Sequence, residues 1–281
     1  MDKPEPIQPQ PTPPAAAPAP SEASAPGPWL QLTVPHDFEY NRYRLPIRGL
    51  PAAFEGFRIL QISDLHLRTF WSEVYDQLIE RVRQEAPDAI FMTGDFVNNK
   101  RDHSQEAPFA HRLVSQLKAT HGVLGVLGNH DQYGLPPKME GSGITFLDRR
   151  RHLLEINGSA LELLGLPGVI RTDVTKSVLD RFPPKEPGVP RLILSHYPDV
   201  IRRARRLQPD LYFAGHTHGG QICLPGGIPI IRHDSLPRSV VKGVHRFEDI
   251  WLVISRGMGF TTLPIRLFCP AEVIEVTLVR G

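Results

Sequence analysis

Residues 210–221 read DLYFAGHTHGGQ, an apolar run that passes straight into two histidines one residue apart, set between glycines. Glycine lets a backbone turn sharply and come close to a bound ion or anion. In extended chain, residues i and i+2 point the same way, so His216 and His218 can reach one metal ion or two adjacent ones. A polar turn whose histidines cap nearby carbonyls would have the same composition. Four other apolar runs end in the same kind of chemistry: Asp64 and His66 after 57–62, Asp95 after 89–92, Asn129 and His130 after 123–127, and His196 after 191–194. The set is two carboxylates, one amide and five imidazoles, without a thiolate. Mixed nitrogen and oxygen donors suit Mn²⁺, Fe, Zn²⁺ or Mg²⁺ rather than Cu(I) or an iron–sulfur cluster. Eight groups exceed one tetrahedral site and match two ions sharing a carboxylate.

Such residues converge only if the runs are strands of an α/β sheet, where ligands gather at the carboxyl ends. The pattern agrees. Short strands are expected at 31–34 and 40–47, then a strand at 57–62. A helix over 72–85 has apolar Val74, Leu78, Ile79 and Val82 at helical spacing, Ser72 as N-cap and Pro87 beyond its end. Strand 89–92, a helix over 108–119 and strand 123–127 repeat the alternation. Residues 134–143 are loop-like, and Asn157-Gly158 between 153–156 and 160–164 signals a hairpin. A short helix is expected at 174–181 and another at 199–207, presenting Arg202, Arg203, Arg205 and Arg206 opposite Val200, Ile201, Ala204 and Leu207. Runs 251–254 and 273–279 read as strands of a second sheet.

The residues Asp64-Leu65-His66, Gly94-Asp95, Gly128-Asn129-His130-Asp131, His196 and Gly215-His216-Thr217-His218 resemble, in order, the five motifs of the calcineurin-like metallophosphoesterases. The wording Ile62-Ser63-Asp64-Leu65-His66-Leu67, GHTHGGQ and Ser255-Arg256-Gly257 is most similar to the bacterial YaeI/YkuE-type phosphodiesterase branch. The resemblance implies a four-layer αββα sandwich of two mixed β-sheets flanked by helices. It also implies two divalent ions, Mn²⁺ foremost with Fe, Zn²⁺ or Mg²⁺ as alternatives. One would take Asp64, His66, His218 and the bridging Asp95; the other Asp95, Asn129, His196 and His216. A bridging hydroxide then attacks phosphorus in line, with His130 as general acid toward the leaving alkoxide. One departure matters. Many phosphatases of the family read GDxxD, the second Asp holding the catalytic histidine and an Arg often following for the phosphate. Here the run is Gly94-Asp95-Phe96-Val97-Asn98-Asn99. A neutral Asn98 does not raise the pKa of His130 as a carboxylate would. Phosphoprotein phosphatase activity is therefore not expected, and a small or lipid-linked phosphodiester or pyrophosphate fits better. A phosphomonoesterase, a nuclease and a silent binding scaffold are the alternatives. The filled ligand set speaks against the scaffold.

The rest of the chain sets bounds. It has 281 residues, 41% hydrophobic and 22% charged, and a net charge of +2, too mild to make nucleic acid a default partner. Cys223 and Cys269 form no disulfide framework. Ten of the 29 prolines lie within residues 1–28, which read as a disordered Pro/Ala-rich tail ahead of a catalytic domain at 29–281. No basic-then-apolar leader and no 18-residue apolar run is read, so a cytoplasmic or peripheral membrane location is expected. The arginine-rich helix is a solvated face or a contact for an anionic membrane surface. Histidines 36, 103, 111, 121, 152, 233 and 245 are expected to be surface or hydrogen-bonded residues. Tyr197 and Arg266 are candidates for the pocket, and Asp131 either orients His130 or holds the turn.

Overall fold

A computed structural model of the chain describes residues 19–22, 26–131, 134–168, 172–230 and 234–281. The tail reading for 1–28 falls largely outside them, as does His233. Within it, Ser21 donates its backbone N–H to the Arg42 carbonyl at 2.8 Å.

In chain order, β1 (Leu30–Leu32) and β2 (Phe38–Ile47) precede β3 (Arg58–Ile62), α1 (Glu73–Glu85), β4 (Ala89–Met92), α2 (Ala107–Gln116), β5 (Val123–Gly125) and β6 (Ile144–Phe146). The hairpin β7 (Arg151–Ile156) and β8 (Ser159–Gly165) follows, then α3 (Thr172–Leu179), β9 (Arg191–Leu194), α4 (Ile201–Ala204) and β10 (Leu211–Ala214). Beyond these come β11 (Cys223–Leu224), β12 (Ile228–Pro229), β13 (Gly243–Phe247), β14 (Ile250–Ile254), β15 (Ile265–Leu267) and β16 (Ala271–Arg280).

Two six-stranded mixed sheets form the centre, in the orders β2-β16-β3-β4-β5-β6 and β13-β14-β10-β9-β8-β7. Strands β3 to β6 are mutually parallel, and so are β8, β9, β10 and β14. β4, β9 and β10 are buried at every residue, which is why they read as unbroken apolar runs rather than alternations. Between the sheets lies a core that includes Ile59, Phe91, Leu124, Leu194 and Phe213, with Phe91 meeting Phe213 edge-on at 5.4 Å. A second core packs α1 and α2 on the first sheet, and a third covers the outer face of the other sheet beneath α4. This is the expected αββα sandwich. Burying Val74, Tyr75, Leu78, Ile79 and Val82 of α1 stabilises that layer by about 1.5–3 kcal/mol per large apolar side chain.

Four local expectations change. Residues 273–279 do not join the second sheet: β16 runs between β2 and β3 of the first. The helix expected at 199–207 is a 3-10 turn, one turn of α4 and another 3-10 turn. α2 stops at Gln116. Ser72 stands at the N-cap of α1 but makes no side-chain cap bond.

Candidate metal centre

The carboxyl ends of β3, β4, β5, β9 and β10 meet at one edge of the sandwich, and all eight side chains singled out in the sequence converge there. Asp95 Oδ2 lies 3.4 Å from His66 Nε2 and 3.4 Å from His196 Nε2. Each of these nitrogens faces a second imidazole: His66 Nε2 is 3.0 Å from His218 Nε2, and His196 Nε2 is 3.2 Å from His216 Nδ1. Asp64 Oδ1 is 3.4 Å from His218 Nε2, and Asn129 Oδ1 is 3.2 Å from His196 Nε2. The arrangement is two imidazole pairs with one carboxylate oxygen between them.

Close approach of the strand ends requires glycine at two places. A Cβ on Gly215 would stand 2.0 Å from Ser63 Oγ. Gly94 has φ +92°, and a Cβ there would meet Gly128 N at 2.6 Å. The donor residues themselves carry strain. Asp64, His66, Asp95, His216 and His218 all have positive φ, from 42° to 71°, a conformation costing about 1–3 kcal/mol at a non-glycine residue.

Backbone and side-chain partners aim each group. Ser63 Oγ donates to Asp64 Oδ2 at 2.5 Å, Thr93 Oγ1 to Ser63 Oγ at 2.7 Å, and Gln61 Nε2 to both Thr93 Oγ1 and the Ala214 carbonyl. This relay ties the two sheets together and leaves Asp64 Oδ1 directed at His218. His196 Nδ1 donates to the Thr93 carbonyl at 2.8 Å, which turns its Nε2 toward Asp95. His130 Nδ1 donates to the Asn98 carbonyl at 2.6 Å, and its Nε2 faces Asp95 Oδ2 at 3.9 Å. Glu106, buried between the loops, accepts the N–H groups of Asn98 and Asn99 at 2.8 and 2.6 Å. Gln61, Ser63, Thr93 and Glu106 were missed in the sequence. The first three are polar residues set in or just after apolar strands, a signal in hindsight.

Electrostatics follow from burial. Burial pushes the Asp64 carboxyl up to about 6 and holds His66 down at about 3. For His196 burial opposes the charge, but the Asp95 and Asp64 carboxylates and the Thr93 carbonyl together overcome it and raise the group to about 9. Asp95 is likewise held well below the usual carboxylate range against its burial, chiefly by His196. Burial lowers His130.

The donor chemistry fits divalent ions. Lone pairs of paired imidazoles repel at 3.0–3.2 Å unless a proton or a cation lies near them, and carboxylate and amide oxygens complete each group. Among the described residues, three sets of histidines and carboxylates have ligand atoms within 4.8 Å of one another: Asp64, His66 and His218; His66, Asp95 and His130; and Asp64, Asp95 and His196.

Other expectations resolve differently. Arg266 is fully buried, and its guanidinium donates to the carbonyls of Arg256, Gly257 and Gly259. It is a structural clamp behind His218, not a pocket residue. Asp131 makes no side-chain hydrogen bond or ion pair with His130 among the described residues. Its carboxylate accepts N–H groups from Phe96, Val97 and Gly128 and so holds the β4 and β5 loops together. Tyr197 packs its ring on His216 at 4.5 Å. His103, buried, donates to the His130 carbonyl. In the arginine-rich segment Arg205 pairs with Glu248 and Arg206 with Asp180, as on a solvated face.

The profile of the calcineurin-like phosphoesterases matches residues 57–220, a span that contains every one of these donors. The uncharacterized metallophosphoesterase YkuE of Bacillus subtilis is 29% identical across 87% of this chain and 86% of its own length. Phosphodiesterase YaeI of Escherichia coli is 29% identical across 86% and 88%. The UDP-2,3-diacylglucosamine pyrophosphatase LpxG of Chlamydia muridarum is 28% identical across 82% and 85%.

Proposed function

The chain belongs to the calcineurin-like phosphoesterase family, and from that premise we propose that it is a phosphodiesterase with a dinuclear metal centre, acting on a small or lipid-linked phosphodiester or pyrophosphate. That it is a hydrolase of phosphoric ester bonds follows from the family and from relatives named as a phosphodiesterase and a pyrophosphatase. The finer reading rests on one observation: Asp95 Oδ2 stands 3.4 Å from one nitrogen of each imidazole pair, the place a bridging ligand takes.

In this reading Asp64, His66 and His218 hold one ion, Asn129, His196 and His216 the other, and Asp95 both. Mn²⁺ is the proposed ion, with Fe, Zn²⁺ and Mg²⁺ as alternatives. When bound, two such ions supply hydroxide near neutral pH and neutralise charge on phosphoryl oxygens. The chain supplies the rest. The Asn98 carbonyl keeps the proton of His130 on Nδ1, so Nε2 is the atom that takes a second proton from solvent and, from the imidazolium, delivers it to the leaving alkoxide. Arg266 directs its donors to carbonyls rather than to substrate. A Gly94-Asp95-Phe96-Val97-Asn98-Asn99 run without the second Asp and the following arginine suits a singly charged diester better than a doubly charged monoester. The names of YaeI and LpxG, a phosphodiesterase and a pyrophosphatase, support the same preference.

The test is hydrolysis of an aryl phosphodiester against the matching monoester by metal-stripped protein reconstituted separately with Mn²⁺, Zn²⁺ and Mg²⁺. Metal-dependent diester cleavage, lost in Asp95→Ala, is expected. A preference for the monoester removes the diester reading. Absence of turnover with every ion, together with absence of bound ion by elemental analysis, overturns the whole proposal.

A further inference from the structure

β1 and β15 pair with Leu30 opposite Leu267, Gln31 opposite Arg266 and Leu32 opposite Ile265. Residues directly opposite in such a ladder share a face. The face turned inward therefore carries Gln31 and Arg266, both fully buried. The outward face carries four aliphatic side chains, with Leu32 53% exposed. This inverts the alternation of an ordinary half-solvated ribbon, which turns its apolar side in.

The inverted face continues sideways. Ile222 bridges Leu267 in parallel, and Ile230 donates its N–H to the Ile222 carbonyl. In the adjoining hairpin Leu224 pairs with Ile228, and these are 51% and 53% exposed while Cys223 on the other face is buried. Trp29, itself exposed, stacks on Phe268 at 5.7 Å at one edge. Among the described residues, every strongly exposed large apolar side chain except Leu153 belongs to these segments or to Phe70 beside them. Residues 28–34, 222–230 and 261–268 contain a single charged residue, Arg266, and it points inward. Single exposed apolar residues are normal, but a contiguous patch marks a contact surface.

We propose that this face docks on an anionic phospholipid bilayer, holding the metal centre against the membrane surface. The inference rests on the phosphoesterase reading and deepens it toward substrates that are themselves lipid-borne. Three observations favour a bilayer over another protein. The outward side chains of the paired strands, Leu30, Leu32, Leu224, Ile228, Ile265 and Leu267, are all aliphatic and uncharged, with the hydrogen-bonding groups of Trp29, Thr33 and Thr262 at the ends of the segments. Cations stand at the rim: Lys242 lies against the Gly227 carbonyl at the hairpin turn, and Arg68 lines a small cavity with Phe70, Thr33 and His66. Basic residues beside an apolar face with an edge tryptophan match the layering of headgroups over acyl chains. The centre is close behind, since Arg266 Nη2 lies 3.5 Å from His218 Nδ1.

The experiment is co-sedimentation of the metal-loaded protein with vesicles of equimolar phosphatidylcholine and phosphatidylglycerol, and with phosphatidylcholine alone. It compares wild type with the double variant Leu32→Glu/Ile228→Glu. Binding to the anionic vesicles is expected to weaken with added salt and to fall about tenfold or more in the variant. Hydrolysis of a soluble aryl diester should be unchanged, which also shows that the variant folds. Equal sedimentation of wild type and variant, or none of the wild type, overturns the proposal. So does a concentration-dependent dimer that the variant abolishes, because the face then belongs to a second copy. Vesicle binding needs no turnover: docking without hydrolysis would sink the enzymatic reading alone, and hydrolysis without docking would sink only this one.

Discussion

His130 illustrates how a single residue's role depends on which atom holds it. In the sequence the neutral Asn98 suggested a weakened hold. In the structure the Asn98 backbone carbonyl is the acceptor for Nδ1, a role any residue type could fill. That contact fixes the orientation of the ring and favours its charged form, while burial, the larger effect, lowers the group, so the imidazolium is a stronger acid than a free histidine once Nε2 is protonated. His130→Gln should reduce kcat on an alkyl diester by about 10²–10⁴ while the bound ions stay in place. The loss should be much smaller with a nitrophenyl leaving group, which departs without protonation. Equal losses with both leaving groups would remove the general-acid role.

At the scale of elements, the loops after β4 and β5 are joined by Asp131 and by His103, which donates to the His130 carbonyl, and Glu106 braces the first of them. Glu106 is nearly buried and accepts two backbone N–H groups from Asn98 and Asn99. Removing it takes a charged acceptor from two part-buried N–H groups, worth about 1.5–3 kcal/mol, and loosens the loop whose Asn98 carbonyl aims His130. Glu106→Ala should lower both the thermal midpoint and kcat, with KM little changed. Glu106→Gln, which keeps an acceptor oxygen, should recover part of each. A variant that loses stability yet keeps full kcat would show that the loop does not position the histidine.

For the whole molecule, the proposed ligands come from both sheets, so an unfolded chain has no assembled site and bound ions stabilise the entire fold. An ion at a hundredfold excess over its Kd adds about 2.7 kcal/mol, several degrees in the midpoint for a domain of this size. The sign of the pH effect follows from His196. In metal-free protein its pKa is raised to about 9, so below that value an ion must displace its proton, and apparent affinity falls as pH falls. Asp64, raised to about 6, adds a second proton below that pH. Scanning calorimetry with and without chelator should therefore show a midpoint difference that shrinks as pH drops from 9. A midpoint insensitive to chelation at every pH would exclude ions bound at this centre.

The sequence by itself determined the candidate donors, their order and their position at strand ends, because buried parallel strands are largely apolar runs and a polar residue ending one stands out against them. Only the tertiary structure decided which sheet each strand joins. β16 is mostly apolar, and its buried Glu275 finds Arg42 and Arg58 only once β2 and β3 flank it, a pairing that leaves no local periodicity. The same holds where a backbone carbonyl is the partner, as for His130 and Arg266, since carbonyls have no residue-type signature. The outward-facing leucines and isoleucines of β1, β11, β12 and β15 belong with these cases: alternation says that two faces differ, and only assembly says which one meets solvent.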